Sequence, residues 1–295
     1  MSVNIKAGIS IIEVLKKTTE ELEKNGIQDS RLNSELLLCS VLNCDRIQLY
    51  LNYERPLNSG ESTLFGKLIS RRNEKEPLQY ILGKTNFFGY DILLNRNVLI
   101  PRQETELLVE RILEDIRQSG RIKVSLFEIG TGSGCISVAL SKELSESGIE
   151  HEIFSIDNSA DALETAARNL ELNGIDAVRV TLYNKNVFEI PKLRKNYDYI
   201  FSNPPYIPVS DFNELPQEIK DYEPVSALTD NENGLSFYKK IFEIYSDKEF
   251  TGKVFCEIGF GQKEKLEEMI AEQKEIKPTF YKDHSDIYRI LKLEK

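Results

Sequence analysis

The chain has 295 residues, which is enough for two cores, and ordinary proportions of apolar and charged residues. No apolar run reaches the roughly 18 residues of a membrane helix, and Met1–Ser10 lacks the basic-then-apolar layout of a signal peptide. The expected location is therefore the cytoplasm, with no membrane contact. The net charge is −10, and only two histidines, His151 and His284, are present, so a His-rich metal site is excluded.

The cysteines (Cys39, Cys44, Cys135 and Cys256) show no C-x-x-C spacing, and no metal is expected. Residues 1–80 hold 11 basic and 11 acidic side chains, while residues 81–295 hold 27 and 37. An acidic second part leans against a polynucleotide substrate, because phosphate neutralisation supplies much of the affinity for nucleic acid.

Residues 5–75 read as helical. Ile11, Ile12, Val14, Leu15 and Leu22 recur near helical spacing, and Leu32, Leu36, Leu37 and Leu38 follow Asp29 and Ser30, both good N-caps. A third helical segment runs from Ser62 to Lys75. Pro77, Gly83 and Gly89 then punctuate Tyr80–Leu82, Phe87–Phe88 and Ile92–Leu94, which predicts a strand-rich hairpin.

From residue 101 the pattern alternates. Strands are expected at Val124–Ile129, Glu152–Asp157, Arg179–Tyr183, Tyr197–Ser202, Lys253–Ile258 and Ile287–Lys292. Helices are expected at Glu104–Gln118, Cys135–Ser145, Ala160–Asn173, Leu235–Tyr245 and Gln262–Gln273. Such alternation implies a mostly parallel sheet covered on both faces. The expected boundaries are a helical domain over 1–76, a β-hairpin linker over 77–100 and an α/β domain over 101–295.

The first strand of the α/β region runs into Gly130-Thr131-Gly132-Ser133-Gly134. Glycines permit a tight turn and close ligand approach, and the helix that follows favours a polar or anionic group at its N-terminus. The next strand ends at Asp157, placed to bind ribose hydroxyls. The G-x-G-x-G spacing departs from the dinucleotide fingerprint G-x-G-x-x-G.

The fourth strand ends in Asn203-Pro204-Pro205-Tyr206. Ligands in open α/β sheets sit beyond the carboxyl ends of strands. The prolines fix φ and leave their carbonyls free as acceptors, and Asn203 offers another. Two acceptors can hold both hydrogens of an NH2 group, and Tyr206 can cover a planar target. The target is then a planar amide or amine nitrogen, in a protein or in a base.

The chain resembles the release-factor glutamine methyltransferases, the PrmC/HemK family, along nearly its whole length. The matching segments are Asp29–Leu38, Glu76–Gly83, Leu99–Glu106, Gly130–Ile136, Ser202–Ile207 and Glu223–Leu228. The resemblance implies a class I methyltransferase fold: a Rossmann-like, mostly parallel seven-stranded sheet with helices on both faces, plus a small all-α N-terminal domain joined by a β-hairpin.

It further implies S-adenosylmethionine as cofactor, S-adenosylhomocysteine as product, and class I peptide-chain release factors as protein substrates, methylated on the glutamine N5 of Gly-Gly-Gln. The helical domain would help hold that substrate. No direct nucleic-acid contact is expected, and a monomer is.

By the same resemblance, Gly130, Thr131, Gly132, Ser133, Gly134, Asp157, Asn186 and Val187 contact the cofactor together with Asn203. Asn203, Pro204, Pro205 and Tyr206 bind the glutamine, with Asn203, Pro204 and Tyr206 catalytic. Glu104 and Glu106 stand at the expected start of a helix, where carboxylates complement its dipole, and the functional alternative is that Arg102 and Glu104 order a lid over the cofactor. Gln103 stands where the family usually has proline, Asn186 where it commonly has aspartate, and Asp283–Arg289 lacks a common glycine. For Phe87, Phe88 and Tyr90, core packing is favoured over lining a glutamine channel.

Overall fold

The computed structural model describes residues 5–193, 195–271 and 276–295. They form two compact units: residues up to Gly83 with Pro216–Tyr222, and Lys84–Leu215 with Glu223–Lys295.

The first unit is helical: α1 Ile11–Lys24, α2 Ser30–Leu42, α3 Arg46–Leu51, α4 Ser59–Asn73 and α5 Leu78–Leu82. Helix α1 buries Ile11, Val14, Leu15, Thr18 and Leu22, a single face at i, i+3, i+4 and i+7 spacing, against Leu37, Leu38, Phe65 and Ile69. Helix α4 starts in a capping box made by Asn58 and Glu61.

Asp29 occupies the position before α2 at φ 49° and makes no side-chain cap, contrary to expectation. The Ser30 hydroxyl instead bonds the Ile27 carbonyl at 2.6 Å. Buried Arg72 bonds Asn33 and the carbonyl of Glu76, and it pairs with Glu218 at 2.7 Å, which ties in the segment Pro216–Tyr222.

The expected hairpin is shorter than its sequence pattern suggests. Leu78–Leu82, which contains Tyr80–Leu82, is α5, closed by Gly83 at φ 73°. A single helical turn is too short to show helical periodicity, and local tertiary packing of Tyr80 and Ile81 decides it. The hairpin itself is β1 Lys84–Phe87 and β2 Tyr90–Leu93. It is held to α8 (Ala160–Leu172) by Asn169, whose side chain exchanges hydrogen bonds with both backbone groups of Leu93. Phe87 is buried, as core packing predicts.

The second unit contains α6 Glu106–Ser119, β3 Lys123–Ile129, α7 Cys135–Glu146, β4 Glu150–Asp157, α8, β5 Val180–Asn184 and β6 Tyr199–Ser202. There follow α9 Gln217–Tyr222 (part of the first unit), α10 Val225–Leu228, α11 Ser236–Tyr245, β7 Lys253–Glu257, α12 Lys263–Ala271, β8 Lys277–Lys282 and β9 Tyr288–Glu294. The predicted end of the last helix, Gln273, lies outside the described residues.

The seven-stranded sheet has the order β5-β4-β3-β6-β7-β9-β8. Its first five strands are parallel, and β9 is antiparallel to both neighbours. Strand β8 was not evident in the sequence because Lys277–Lys282 is an edge strand with no buried residue and so carries no apolar alternation. One face packs Phe127, Ile129, Ile200 and Val254 against Tyr238, Ile241, Tyr245 and Leu266 of α11 and α12. The chain winds from β3 outward to β5, then returns to place β6 on the other side of β3. That reversal opens a crevice at the carboxyl ends of β3 and β6.

Candidate active site

The crevice is an open cleft of about 980 Å³. Two turns form its floor. After β3, Gly130 (φ 79°) and Gly132 (φ 54°) hold left-handed conformations, with open space where a Cβ would sit. Asp157, at the end of β4, staples this turn: its carboxylate accepts from the Gly132 amide at 2.8 Å and from the Ser159 amide at 2.9 Å. Gly134 serves packing instead, because a Cβ there would stand 3.1 Å from the Ala166 methyl of α8. Fully buried Asn169 donates to the Ser133 carbonyl at 2.9 Å, joining the glycine turn to the hairpin.

The second turn is Asn203–Tyr206, at the end of β6. The Ser202 hydroxyl donates to the Ile129 carbonyl at 2.7 Å, which locks β6 to β3 immediately before both turns. Asn203 Nδ2 donates to the Thr105 hydroxyl at 3.1 Å, and Thr105 is buried on the 3-10 turn Gln103–Thr105. Gln262 braces the far end with all its hydrogen-bonding capacity. Its Nε2 donates to the carbonyls of Tyr206 and Gly234, both at 3.0 Å, and its Oε1 accepts from the Gly259 amide and the Tyr238 hydroxyl. Close backbone packing fixes the rest, since a Cβ on Gly234 would fall 2.2 Å from the Tyr206 carbonyl oxygen.

The structure brings Gly130, Thr131, Gly132, Ser133 and Asp157 to the cleft wall. Arg102, Asn186, Val187, Asn203 and Pro205 also line it. Gly134, Glu104, Pro204 and Tyr206 are not part of the lining. Glu104 is exposed, whereas Arg102 pairs with buried Glu223 at 2.6 Å. Glu223 also accepts from the Ile100 amide, and thus binds the Leu99–Arg102 segment to the Pro224–Ala227 segment at the cleft edge.

Tyr206 turns its hydroxyl to Glu257 at 3.4 Å, and its ring lies beside Gly259. Phe87, Phe88 and Tyr90 are absent from the lining. Asn186 uses its side chain to accept from the Phe188 amide at 3.1 Å, a role its amide performs as an aspartate would.

Two buried carboxyls flank these turns. Burial pushes both Glu128, at the end of β3, and Glu257, at the end of β7, up to about 7. Glu128 accepts from the Ser137 hydroxyl. Arg289 and the Thr105 and Tyr206 hydroxyls favour the charged form of Glu257, against Glu104. Sequence reasoning missed Thr105, Glu223, Glu257 and Gln262. One signal was available: Glu-Ile-Gly recurs at 128–130 and 257–259, each at the end of an apolar strand.

Residues 13–83 match the PrmC N-terminal domain family, and residues 123–284 match a methyltransferase domain family. A release factor glutamine methyltransferase of Geobacter sulfurreducens is 39% identical, over 86% of this chain and 86% of that protein. The chain belongs to the release factor glutamine methyltransferase family. A second family member, from Thermodesulfovibrio yellowstonii, is 38% identical over 88% of this chain and 90% of its own.

The hMettl16 catalytic domain, solved in complex with the MAT2A 3'UTR hairpin 1, has the same fold, with a TM-score of 0.55 and 17% identity over 82% of this chain and 83% of that one. This chain thus has the class I methyltransferase fold.

The cleft residues fit S-adenosylmethionine. The open space above Gly130 and Gly132 admits a ligand against the backbone. The Thr131 hydroxyl is buried with no partner among the described residues and lines the cleft. Asp157 retains lone pairs for hydroxyl groups after its two backbone bonds. Among the described residues no cluster suits a metal ion, and no helix is long and apolar enough to cross a membrane.

Proposed function

We propose that this protein methylates the side-chain amide nitrogen (N5) of the glutamine in the Gly-Gly-Gln motif of class I peptide-chain release factors, and so modulates translation termination. S-adenosylmethionine is the cofactor, and S-adenosylhomocysteine the product. The observation that carries the reading is the meeting of the Gly130–Gly132 turn and Asn203 in one cleft at the switch point of the sheet, in a chain of this family.

The bound cofactor supplies an electrophilic methyl group on a sulfonium. The protein's part is to hold the nitrogen. Asn203 Oδ1 and a backbone carbonyl of the proline pair accept the two amide hydrogens, which orients the lone pair and turns a bimolecular encounter into a positioned one. Rigid prolines and the Gln262 brace keep those acceptors fixed, so little reorganisation is needed.

Among the described residues the cleft lining holds one carboxylate, Asp157, whose oxygens are engaged by backbone amides. No built-in base is required, because a nitrogen that gains a fourth substituent becomes acidic and its proton passes to water. The Arg102–Glu223 pair holds the cleft edge and limits water entry. In this reading residues 1–76 dock the release factor, 77–100 link, and 101–295 carry the site, with Pro205 and Tyr206 shaping the glutamine pocket.

The test is co-expression with a release factor, followed by mass spectrometry of the Gly-Gly-Gln peptide. A one-methyl mass gain on the glutamine is expected, and Asn203→Ala abolishes it while S-adenosylhomocysteine still binds. Label from tritiated cofactor that enters nucleic acid and never a release factor would overturn the reading.

A further inference from the structure

We propose that Cys39 and Cys44 form an oxidisable dithiol site, which a hydroperoxide converts to a disulfide that pins the start of α3 to the last turn of α2. The methyl-transfer site uses neither residue. What brings them together is the way α2 ends. Asn43 follows the helix at φ 50°, and the Cys44 amide donates to the Cys39 carbonyl at 3.1 Å. A left-handed residue with that six-to-one backbone bond is a Schellman cap, and the side chains at the two bonded positions commonly touch.

Here both of those side chains are thiols. Both pack on the apolar core of the first unit. They differ in access to solvent: Cys39 is 7% exposed, and Cys44 is half-buried. Burial first, and then the neighbouring Cys44, push the Cys39 thiol up to about 12. Cys44 is therefore the thiol that meets an oxidant, and Cys39 the one that resolves the product.

The chemistry balances with a hydroperoxide as the oxidant. The Cys44 thiolate attacks a peroxide oxygen; an S–O bond forms, the O–O bond breaks, and the leaving hydroxide takes the thiol proton as water. The Cys39 sulfur then attacks the Cys44 sulfenic acid. An S–S bond forms, the S–O bond breaks, and hydroxide leaves with the Cys39 proton as a second water. The two thiols are oxidised by two electrons, and the peroxide is reduced.

The bridge has a local consequence. Asp45, directly after Cys44, caps α3 by accepting from the Gln48 amide at 2.7 Å. Helix α3 presents Ile47 and Leu51 to solvent, 72% and 79% exposed. Closing the bridge fixes that apolar face relative to α2. Cys135 and Cys256 are internal references, because both are buried in the second unit and burial pushes both thiols up.

The test treats the folded full chain with hydrogen peroxide and then denatures it. Titration should find two free thiols in place of the original four, and the intact mass should fall by two hydrogens. Trypsin releases residues 32–46 as one peptide with both cysteines, and that peptide should carry the whole mass loss. Dithiothreitol should reverse it. Exchange of the Cys44 amide should slow at least about tenfold in the oxidised chain, because the bridge holds the cap closed.

In Cys39→Ser the resolving thiol is gone, so Cys44 should stop at a sulfenic acid that dimedone traps. The wild-type readouts carry the test if that variant fails to fold. Four surviving thiols would refute the site. So would Cys44 driven on to a sulfinic acid while Cys39 stays a free thiol, or a bridge that joins two copies of the chain.

Discussion

Replacing Gly234 with alanine tests whether the placement of the tetrad, and not only its composition, produces turnover. The new methyl would stand 2.2 Å from the Tyr206 carbonyl oxygen and 2.9 Å from its carbon. Ordinary carbon–oxygen contact begins near 3.3 Å, so one backbone segment must move by about 1 Å. Gly234 also has φ +77°, where alanine costs about 1–2 kcal/mol in any case.

The same movement breaks the 3.0 Å bond from Gln262 to the Tyr206 carbonyl. A misplacement of about 1 Å can cost about a hundredfold in rate. Steady-state methylation of a release factor should therefore show kcat down by that order. Calorimetric binding of S-adenosylhomocysteine should stay near wild type, because the glycine turn and Asp157 are untouched.

Gly148→Ala is the control. Gly148 has φ +70° but open space around its Cβ position, so it pays the backbone strain without the clash. It should lose stability and keep kcat. Wild-type turnover in a folded Gly234→Ala protein would refute the argument that the Tyr206 backbone position matters.

Three further outcomes are expected. Glu128 and Glu257 are held up near 7 from an ordinary 4.5 by burial, so the folded state binds these protons more tightly than the unfolded chain. Their contribution to stability is complete below about 4.5 and is lost as pH rises through 7, by roughly 3 kcal/mol each. The melting temperature should fall between pH 5 and 8, and Glu128→Gln should remove about half of the fall. His151, held low by burial, acts in the opposite sense as pH drops below 6.5, so the mutant comparison and not the bare curve is decisive.

Asp157→Ala removes the bond to the Gly132 amide of the glycine turn and the bond to the Ser159 amide, and should weaken S-adenosylhomocysteine binding by at least about tenfold in calorimetry. An unchanged affinity would show that the staple is dispensable. Glu223→Ala leaves Arg102 without its partner and the Ile100 amide unbonded, and should raise the cofactor KM several-fold in steady-state assays. No change in KM would remove that pair from the cleft edge.

The amino-acid sequence by itself determined the features that local chemistry specifies. Val124–Ile129 and Tyr197–Ser202 are largely apolar and run into a glycine-rich and a proline-containing turn, so their strand character shows in the residues. The Gly130–Gly134 turn and Asn203–Tyr206 are equally local, because φ freedom and φ restriction are properties of single residues. Where signals were short or absent, the reading failed. Helix α5 is one turn long, β8 buries nothing, and Glu104 looked as suited to the cleft as Arg102.

What only the tertiary structure decided is which distant groups meet. Thr105, Glu223, Glu257 and Gln262 are common residue types whose meaning comes from burial and neighbours set by the β3–β6 reversal. A buried carboxyl has a raised pKa, and a glutamine such as Gln262 has four partners, only after the sheet has removed water and brought those groups together. Desolvation and hydrogen-bond polarity are properties of the packed site, and no stretch of sequence carries them alone.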